Sequence, residues 1–226
     1  MIITIASGKG GTGKTTVATN LALTLMGTSR MTLDGKRLAF ADCDVEEPNA
    51  ALFLHPLLRE KRDVSVMIPE VDEATCTHCG RCGEVCQYHA IAVVGEKVLV
   101  FQELCHGCGS CTLECPVGAI QEVPKAIGVV ERGRVGSMTF VQGIMDIGTP
   151  LAPPIIRDAK AWVLETDEDQ LTIIDAPPGT SCPVVECLRG CDYALMVTEP
   201  TPFGLHDLKL AVEVAHKELG LPVGVV

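Results

Sequence analysis

The sequence predicts an α/β fold: a mostly parallel sheet flanked by helices, interrupted by a small α+β insert. Three observations predict it. Short apolar runs alternate with helical periodicity at both ends of the chain, the pattern of parallel strands joined by helical crossovers. The first apolar run stops at a glycine-rich turn, Gly8 to Thr15. From Asp63 the composition changes to a cysteine-rich stretch, and α/β patterning resumes only after about residue 125. We therefore expect a discontinuous main domain over residues 1–62 and 126–226 and an inserted domain over 63–125.

Ile2–Ala6 reads as a strand, and Thr15–Met26 as a helix with apolar residues at helical spacing. Leu38–Ala41 is a second strand, ending at Asp42-Cys43-Asp44. Inside the insert, Ile91–Val94 and Lys97–Phe101 flank Gly95-Glu96 as a hairpin. Gly128–Val141 reads as β structure broken at Gly133 and Gly136. Pro153–Leu164 is expected to be a helix with proline in its first turn. Leu171–Ile174 is a strand running into Asp175-Ala176-Pro177-Pro178-Gly179. Then come a strand at Ala194–Thr198, a helix at Gly204–Leu219 and a last strand at Pro222–Val226. In such a sheet, ligands gather at the carboxyl ends of the strands.

Hydrophobic residues make up 47% of the 226, enough for a substantial core, and aromatics at 4% make that core aliphatic. A net charge of -11 disfavours nucleic acid and anionic membrane surfaces and favours basic partners. The N-terminus shows no charged leader ahead of an apolar stretch, so the 12 cysteines are read in a reducing cytoplasm rather than as disulfides. No apolar run approaches the roughly 18 residues that span a bilayer.

Gly8-Lys9-Gly10-Gly11-Thr12-Gly13-Lys14-Thr15 fits the P-loop pattern G-x-x-x-x-G-K-[ST], in the strand-to-helix context that the motif requires. The glycines let backbone N–H groups converge on phosphates at the helix N-terminus. Lys14 is placed to contact the β- and γ-phosphates, and the Thr15 hydroxyl to ligate Mg²⁺. The candidate nucleotide contacts run from Gly8 through Thr16.

Eight cysteines form two runs, Cys76, Cys79, Cys82, Cys86 and Cys105, Cys108, Cys111, Cys115, each C-x2-C-x2-C-x3-C and offset by 29 residues. Ala90-Ile91 and Ala119-Ile120 recur at the same offset, so the segment is a duplication. The spacing is that of two-cluster bacterial ferredoxins, in which the fourth cysteine of each run serves the other cluster. It assigns Cys76, Cys79, Cys82 and Cys115 to one [4Fe-4S] cluster and Cys105, Cys108, Cys111 and Cys86 to a second. Zinc is the alternative for paired C-x2-C motifs. His78 and His106 lie among the ligands and are read as neighbours rather than donors. Cys43, Cys182, Cys187 and Cys191 are read as small buried hydrophobes, with a shared metal ligand as the rival reading.

The loop Lys9-Gly10-Gly11-Thr12-Gly13-Lys14-Thr15-Thr16 resembles the deviant Walker A motif of the MinD, ParA and nitrogenase iron protein class. Asp42-Cys43-Asp44 is similar to that family's D-x-D switch I, and Asp175-Ala176-Pro177-Pro178-Gly179-Thr180 to the switch II of its Mrp branch. Thr198 to Asp207 also resembles this family. The likeness covers the whole chain, and implies a MinD-superfamily P-loop ATPase with an inserted ferredoxin domain. It implies that Lys9 reaches across an ATP-dependent homodimer to the partner's nucleotide. It also implies that Asp44 positions the attacking water, and that Asp42 and Asp175 support Mg²⁺. Lys9, Lys14 and Asp44 are thus the candidate catalytic residues. Two departures stand out: Gln87 follows Cys86 where such runs usually have proline, and the sequence ends at Val226, before the Asn-containing loop that reads the base. The preference for ATP therefore rests on the resemblance.

The expected function is a partner-stimulated ATPase that couples Mg-ATP hydrolysis and dimer closure to electron transfer or metallocluster handling on an unidentified partner, electron delivery being what the resemblance to the nitrogenase iron protein implies. A cluster-assembly carrier of Mrp type, using Cys182, Cys187 and Cys191, is the first rival. A redox-sensing MinD-like spatial regulator is the second, although no terminal amphipathic helix offers a membrane anchor.

Overall fold

The computed structural model describes residues 1–27, 37–165 and 170–226. In chain order the elements are β1 (Ile2–Ala6), α1 (Lys14–Gly27), β2 (Arg37–Asp42), α2 (Ala50–Leu54) and β3 (Leu57–Val71). Then follow α3 (Arg81–Val85), β4 (Ile91–Val94), β5 (Lys97–Val100), α4 (Ser110–Leu113), β6 (Ile120–Val135) and β7 (Met138–Met145). The chain closes with α5 (Pro153–Leu164), β8 (Gln170–Asp175), α6 (Cys182–Leu188), β9 (Tyr193–Met196), α7 (Pro202–Val212) and β10 (Val223–Val225). An eight-stranded sheet has the order β10-β9-β1-β8-β2-β7-β6-β3, and β4 and β5 form a separate antiparallel hairpin. The strands from β10 to β7 are parallel to their neighbours.

The chain divides into two compact units. One comprises Met1–Arg62, Val129–Met145 and Ala152–Val226, and the other Asp63–Gly128 and Asp146–Leu151. In the first, central strands are buried on both faces, and β8 is accordingly buried at all six positions instead of at alternate ones. Ile5, Phe40, Phe140, Ile173 and Ala22 of α1 make one core, with Phe40 and Phe140 paired in register and stacked at 5.8 Å. Fully burying each such side chain stabilises by about 1.5–3 kcal/mol.

The cysteine-rich unit shows its duplication in the backbone. His78 and Gly107 occupy the left-handed region at φ 55° and 64°, Gly80 and Gly109 at 84° and 72°, His89 and Gly118 at 51° and 66°. Each pair is related by the 29-residue offset. Gly80 and Gly109 stand at the N-caps of the short helices α3 and α4.

Three elements differ from the sequence reading. Leu57–Val71 is a strand that the sequence did not suggest; it is the outermost of the sheet, where charged side chains are tolerated because one edge meets solvent. Gly133 does not break the chain but sits inside β6, where a Cβ would run into the Leu57 carbonyl. The expected helix at 204–219 is α7 followed by a π-helical turn at Glu213–Glu218.

Candidate functional site

Topology brings the phosphate loop and both acidic motifs to one edge of the sheet. The adjacent parallel strands β1, β8 and β2 end there, with Ile5 in register with Asp175 and Asp42 in register with Asp175. The Gly-rich loop leaves β1, and Gly11 and Gly13 adopt φ of 80° and 91°, which a side chain would strain. Helix α1 begins at once, Val17 N–H donating to the Gly13 carbonyl at 2.9 Å. A Cβ on Gly8 would run into the Asp207 backbone, so this glycine permits α7 to approach the loop. Gly179, at φ 103°, donates its N–H to the Ser7 carbonyl at 3.0 Å and ties the loop after β8 to the phosphate loop.

Lys14 is buried at 6% exposure. Burial pushes its pKa down, and the charges of Asp175 and then Asp44 act against that. Asp175 is fully buried, and neither of its carboxylate oxygens has a hydrogen-bond partner. The Thr15 hydroxyl faces it and favours its charged form, but stops short of a hydrogen bond. Burial still pushes Asp175 up to about 6. An unpartnered buried carboxylate beside a threonine hydroxyl offers the oxygen ligands that Mg²⁺ takes, and the nearby lysine offers a charge to the phosphate. The residues therefore fit that group.

Asp42 and Asp44 have different surroundings. Asp42 accepts the Asp44 N–H at 3.2 Å and the Ala50 N–H at 2.9 Å, so both oxygens hold backbone in place. Its pKa is pushed up to about 8, by burial first and by Asp175 second. Asp44 is half-buried and rises to about 6 through burial, with Lys14 opposing. It lines a cleft of about 300 Å³ together with Glu46, Glu47, Pro177, Pro178 and Ser181. Lys9 does not point away from its own chain: its Nζ donates to Glu199 Oε2 at 2.9 Å. Thr12 is half-buried, and its hydroxyl oxygen is fully buried and without a partner, while Thr16 is exposed.

In the cysteine-rich unit the eight thiols sort into two cavities. Cys86, Cys105, Cys108 and Cys111 line one, and Cys76, Cys79, Cys82 and Cys115 line the other. These are the two sets that the crossed assignment groups together. Among the described residues, no three cysteine, histidine or acidic side chains converge tightly enough to hold a single metal ion. His106 lies over Tyr88, ring centroids 3.6 Å apart and planes within 5°.

The remaining cysteines do not act as one set. Cys182 is exposed, whereas Cys43, Cys187 and Cys191 are buried. Cys191 Sγ donates to the Cys187 carbonyl at 3.0 Å and shares a hydrogen bond with Thr4 Oγ1. Burial raises the thiol pKa of both Cys187 and Cys191, which disfavours the thiolate that metals bind.

The family model for the CobQ/CobB/MinD/ParA nucleotide binding domain matches residues 3–225. The chain belongs to this family. Among its relatives is protein MJ0579 of Methanocaldococcus jannaschii, 31% identical over 233 residues, covering 100% of this chain and 79% of that one. A cytosolic Fe-S cluster assembly factor NUBP2 homolog of Culex quinquefasciatus is 27% identical, covering 96% of this chain and 64% of that one. The M. jannaschii ferredoxin MJ0265 is 43% identical over 53 residues, covering 23% of this chain and 32% of that one. Among solved structures, the Pyrococcus furiosus cell division ATPase MinD superposes with a TM-score of 0.51 at 22% identity, covering 99% of this chain and 70% of that one. That likeness shows the fold. This member of the family thus carries an α/β P-loop nucleotide-binding fold, and no helix among its described residues is long and apolar enough to cross a membrane.

Two features escaped sequence reasoning. The Lys9–Glu199 contact joins residues 190 positions apart, and no local pattern marks it. Asp42 bonds to the Ala50 N–H across a loop, where the sequence reading gave it a part in holding Mg²⁺ and no backbone partner.

Proposed function

We propose that this chain is a Mg-ATP-hydrolysing iron–sulfur protein that couples nucleotide-driven movement of its switch loops to electron delivery to a partner protein. One observation carries the reading: a chain of the MinD/ParA nucleotide-binding family also sorts eight thiols into two cavities of four. Four thiols in each of two cavities, at the ligand spacing of two-cluster ferredoxins, suit a pair of polynuclear clusters. A [4Fe-4S] cluster held in each cavity would supply low-potential one-electron chemistry. The local likeness to a ferredoxin supports the same reading.

Each residue has a task in this account. The backbone from Gly8 to Thr16 cradles the phosphates, and Lys14 places its charge at the β- and γ-oxygens. Thr15 and Asp175 hold Mg²⁺, which would neutralise charge on those oxygens. Asp42 keeps the switch I backbone fixed through its two N–H bonds, and so acts by positioning. Asp44, in the cleft between the two switch loops, orients the attacking water. Lys9 leaves Glu199 to reach the nucleotide of a second copy, so that dimer closure and ATP binding are linked.

The decisive experiment is a redox titration followed by electron paramagnetic resonance, with and without Mg-ATP, on the chain and on Lys14→Ala. We expect Mg-ATP to shift the titration curve of the native chain and to leave that of K14A in place. Superimposable curves for the native chain contradict the coupling. A second reading, cluster assembly by transfer, is favoured by the NUBP2 likeness. It requires iron and sulfide to pass to an apo-acceptor protein, whereas electron delivery requires both to be retained through many turnovers.

A further inference from the structure

Because the cysteine-rich unit is a duplication, its two cavities can be compared position by position. The features that ordinarily tune a bound cluster, thiolate burial and backbone N–H bonds to sulfur, balance between the two cavities. His78 N–H donates to Cys76 Sγ at 3.4 Å, and its counterpart Gly107 N–H to Cys105 Sγ at 3.5 Å. Ala90 N–H donates to Cys86 Sγ at 3.2 Å, and Ala119 N–H to Cys115 Sγ at 3.2 Å. Each cavity receives one bond of each kind. Each cavity also holds one buried, one exposed and two half-buried thiols, although the buried one is Cys82 in the first and Cys105 in the second.

Charge is not matched. Val93 lines the Cys76 cavity, and its counterpart Glu122 lines the Cys105 cavity. The Glu122 carboxylate sits against Gly109, with Oε1 3.2 Å from where a Cβ would stand. Arg81, next to Cys82, has Ser110 as its counterpart, but its charge is compensated by Glu114 at 2.7 Å. Ser110 Oγ lies 3.4 Å from Cys108 Sγ. Here the Cys108 thiol is the donor; against a thiolate the hydroxyl would donate and oppose the carboxylate, yet a neutral dipole acts more weakly than a full charge.

We infer that Glu122 makes the two cysteine sites unequal, so that the first electron from a low-potential donor resides at the Cys76/Cys79/Cys82/Cys115 site. The inference rests on the reading of both sites as [4Fe-4S] sites. Reduction adds one negative charge to a site already bearing four thiolates, and a nearby carboxylate opposes it. At an effective dielectric of about 20, one unit charge roughly 10 Å away biases the occupancy by on the order of tenfold.

The test is partial reduction of the anaerobically purified, iron-loaded chain with dithionite, read by the contact-shifted cysteine β-proton resonances assigned residue by residue. We expect the first electron to appear at Cys76, Cys79, Cys82 and Cys115 by about tenfold over the other site. Glu122→Gln should bring the two occupancies together, and Val93→Glu combined with Glu122→Gln should invert them. First reduction at the Cys105 site, or an order that E122Q leaves unchanged, overturns the inference while the cluster reading stands. A chain that holds no iron and sulfide overturns the cluster reading and this inference with it.

Discussion

The Lys9 ammonium donates to the Glu199 carboxylate at 2.9 Å, joining the phosphate loop to the segment that opens α7. Both side chains are about one-third exposed, at 32% and 39%, so the pair contributes modestly, about 0.2–1 kcal/mol. A contact of that strength can hold Lys9 back and still release it. Glu199→Gln is therefore expected to raise ATP-dependent dimer formation by up to about fivefold, and Lys9→Ala to abolish it. Sedimentation with a non-hydrolysable ATP analogue checks both. An E199Q chain that dimerises no more readily than the native one removes the restraining role.

The buried acids set a pH dependence. Burial raises Asp175 and Asp44 to about 6 and Asp42 to about 8. Each carboxyl therefore holds its proton to a higher pH in the fold than in the unfolded chain. The stability gained by protonation is fully present below about pH 4 and is lost as pH rises through 6 and then 8. The nucleotide-free, Mg-free chain should melt at a higher temperature at about pH 5.5 than at about pH 8.5. Mg-ATP should reverse that order, since only ionised Asp175 can serve the metal. Melting curves at the two pH values, each with and without Mg-ATP, decide the matter.

Asp175→Asn separates stability from function at the same residue. Removing a buried, unpartnered charge should stabilise the apo chain by about 1–2 kcal/mol near pH 8. The same change should remove the Mg²⁺-dependent part of nucleotide binding. Denaturant unfolding and Mg²⁺-dependent ATP titration measure the two effects. An apo chain destabilised by D175N would mean that Asp175 has a structural partner.

Trp162, the chain's single tryptophan, is buried on α5 with two guanidinium groups over its ring, Arg62 at 4.0 Å and Arg132 at 4.8 Å from the centroid. Arg132 also grips Glu60 through two hydrogen bonds, at 3.0 and 2.6 Å. Arg132→Ala should cost about 0.5–1 kcal/mol through the lost cation–π contact, the solvent-exposed Glu60 pair adding little. Tryptophan emission during unfolding reports it directly.

Local physics made much of this legible. The phosphate loop could be read because strand, glycines, lysine and helix are contiguous, and the two cysteine runs because ligand spacing is fixed by the short turns around Gly80 and Gly109. What escaped depended on distance or on an edge. Leu57–Val71 gave no strand signal because Arg59, Glu60, Lys61, Arg62 and Asp63 mask any alternation, and an edge strand needs none. Gly133 looked like a breaker because the close approach of Leu57 is invisible in sequence. Glu199 and Glu122 are ordinary surface acids until the fold sets one against Lys9 and the other beside Cys108.

The most direct measurement is metal content: iron, acid-labile sulfide and zinc per chain after purification without oxygen. The account expects about eight iron and eight sulfide per chain, falling to about four of each when Cys76 and Cys79 are replaced by serine. Zinc in place of iron would contradict it and leave a nucleotide switch with a structural insert.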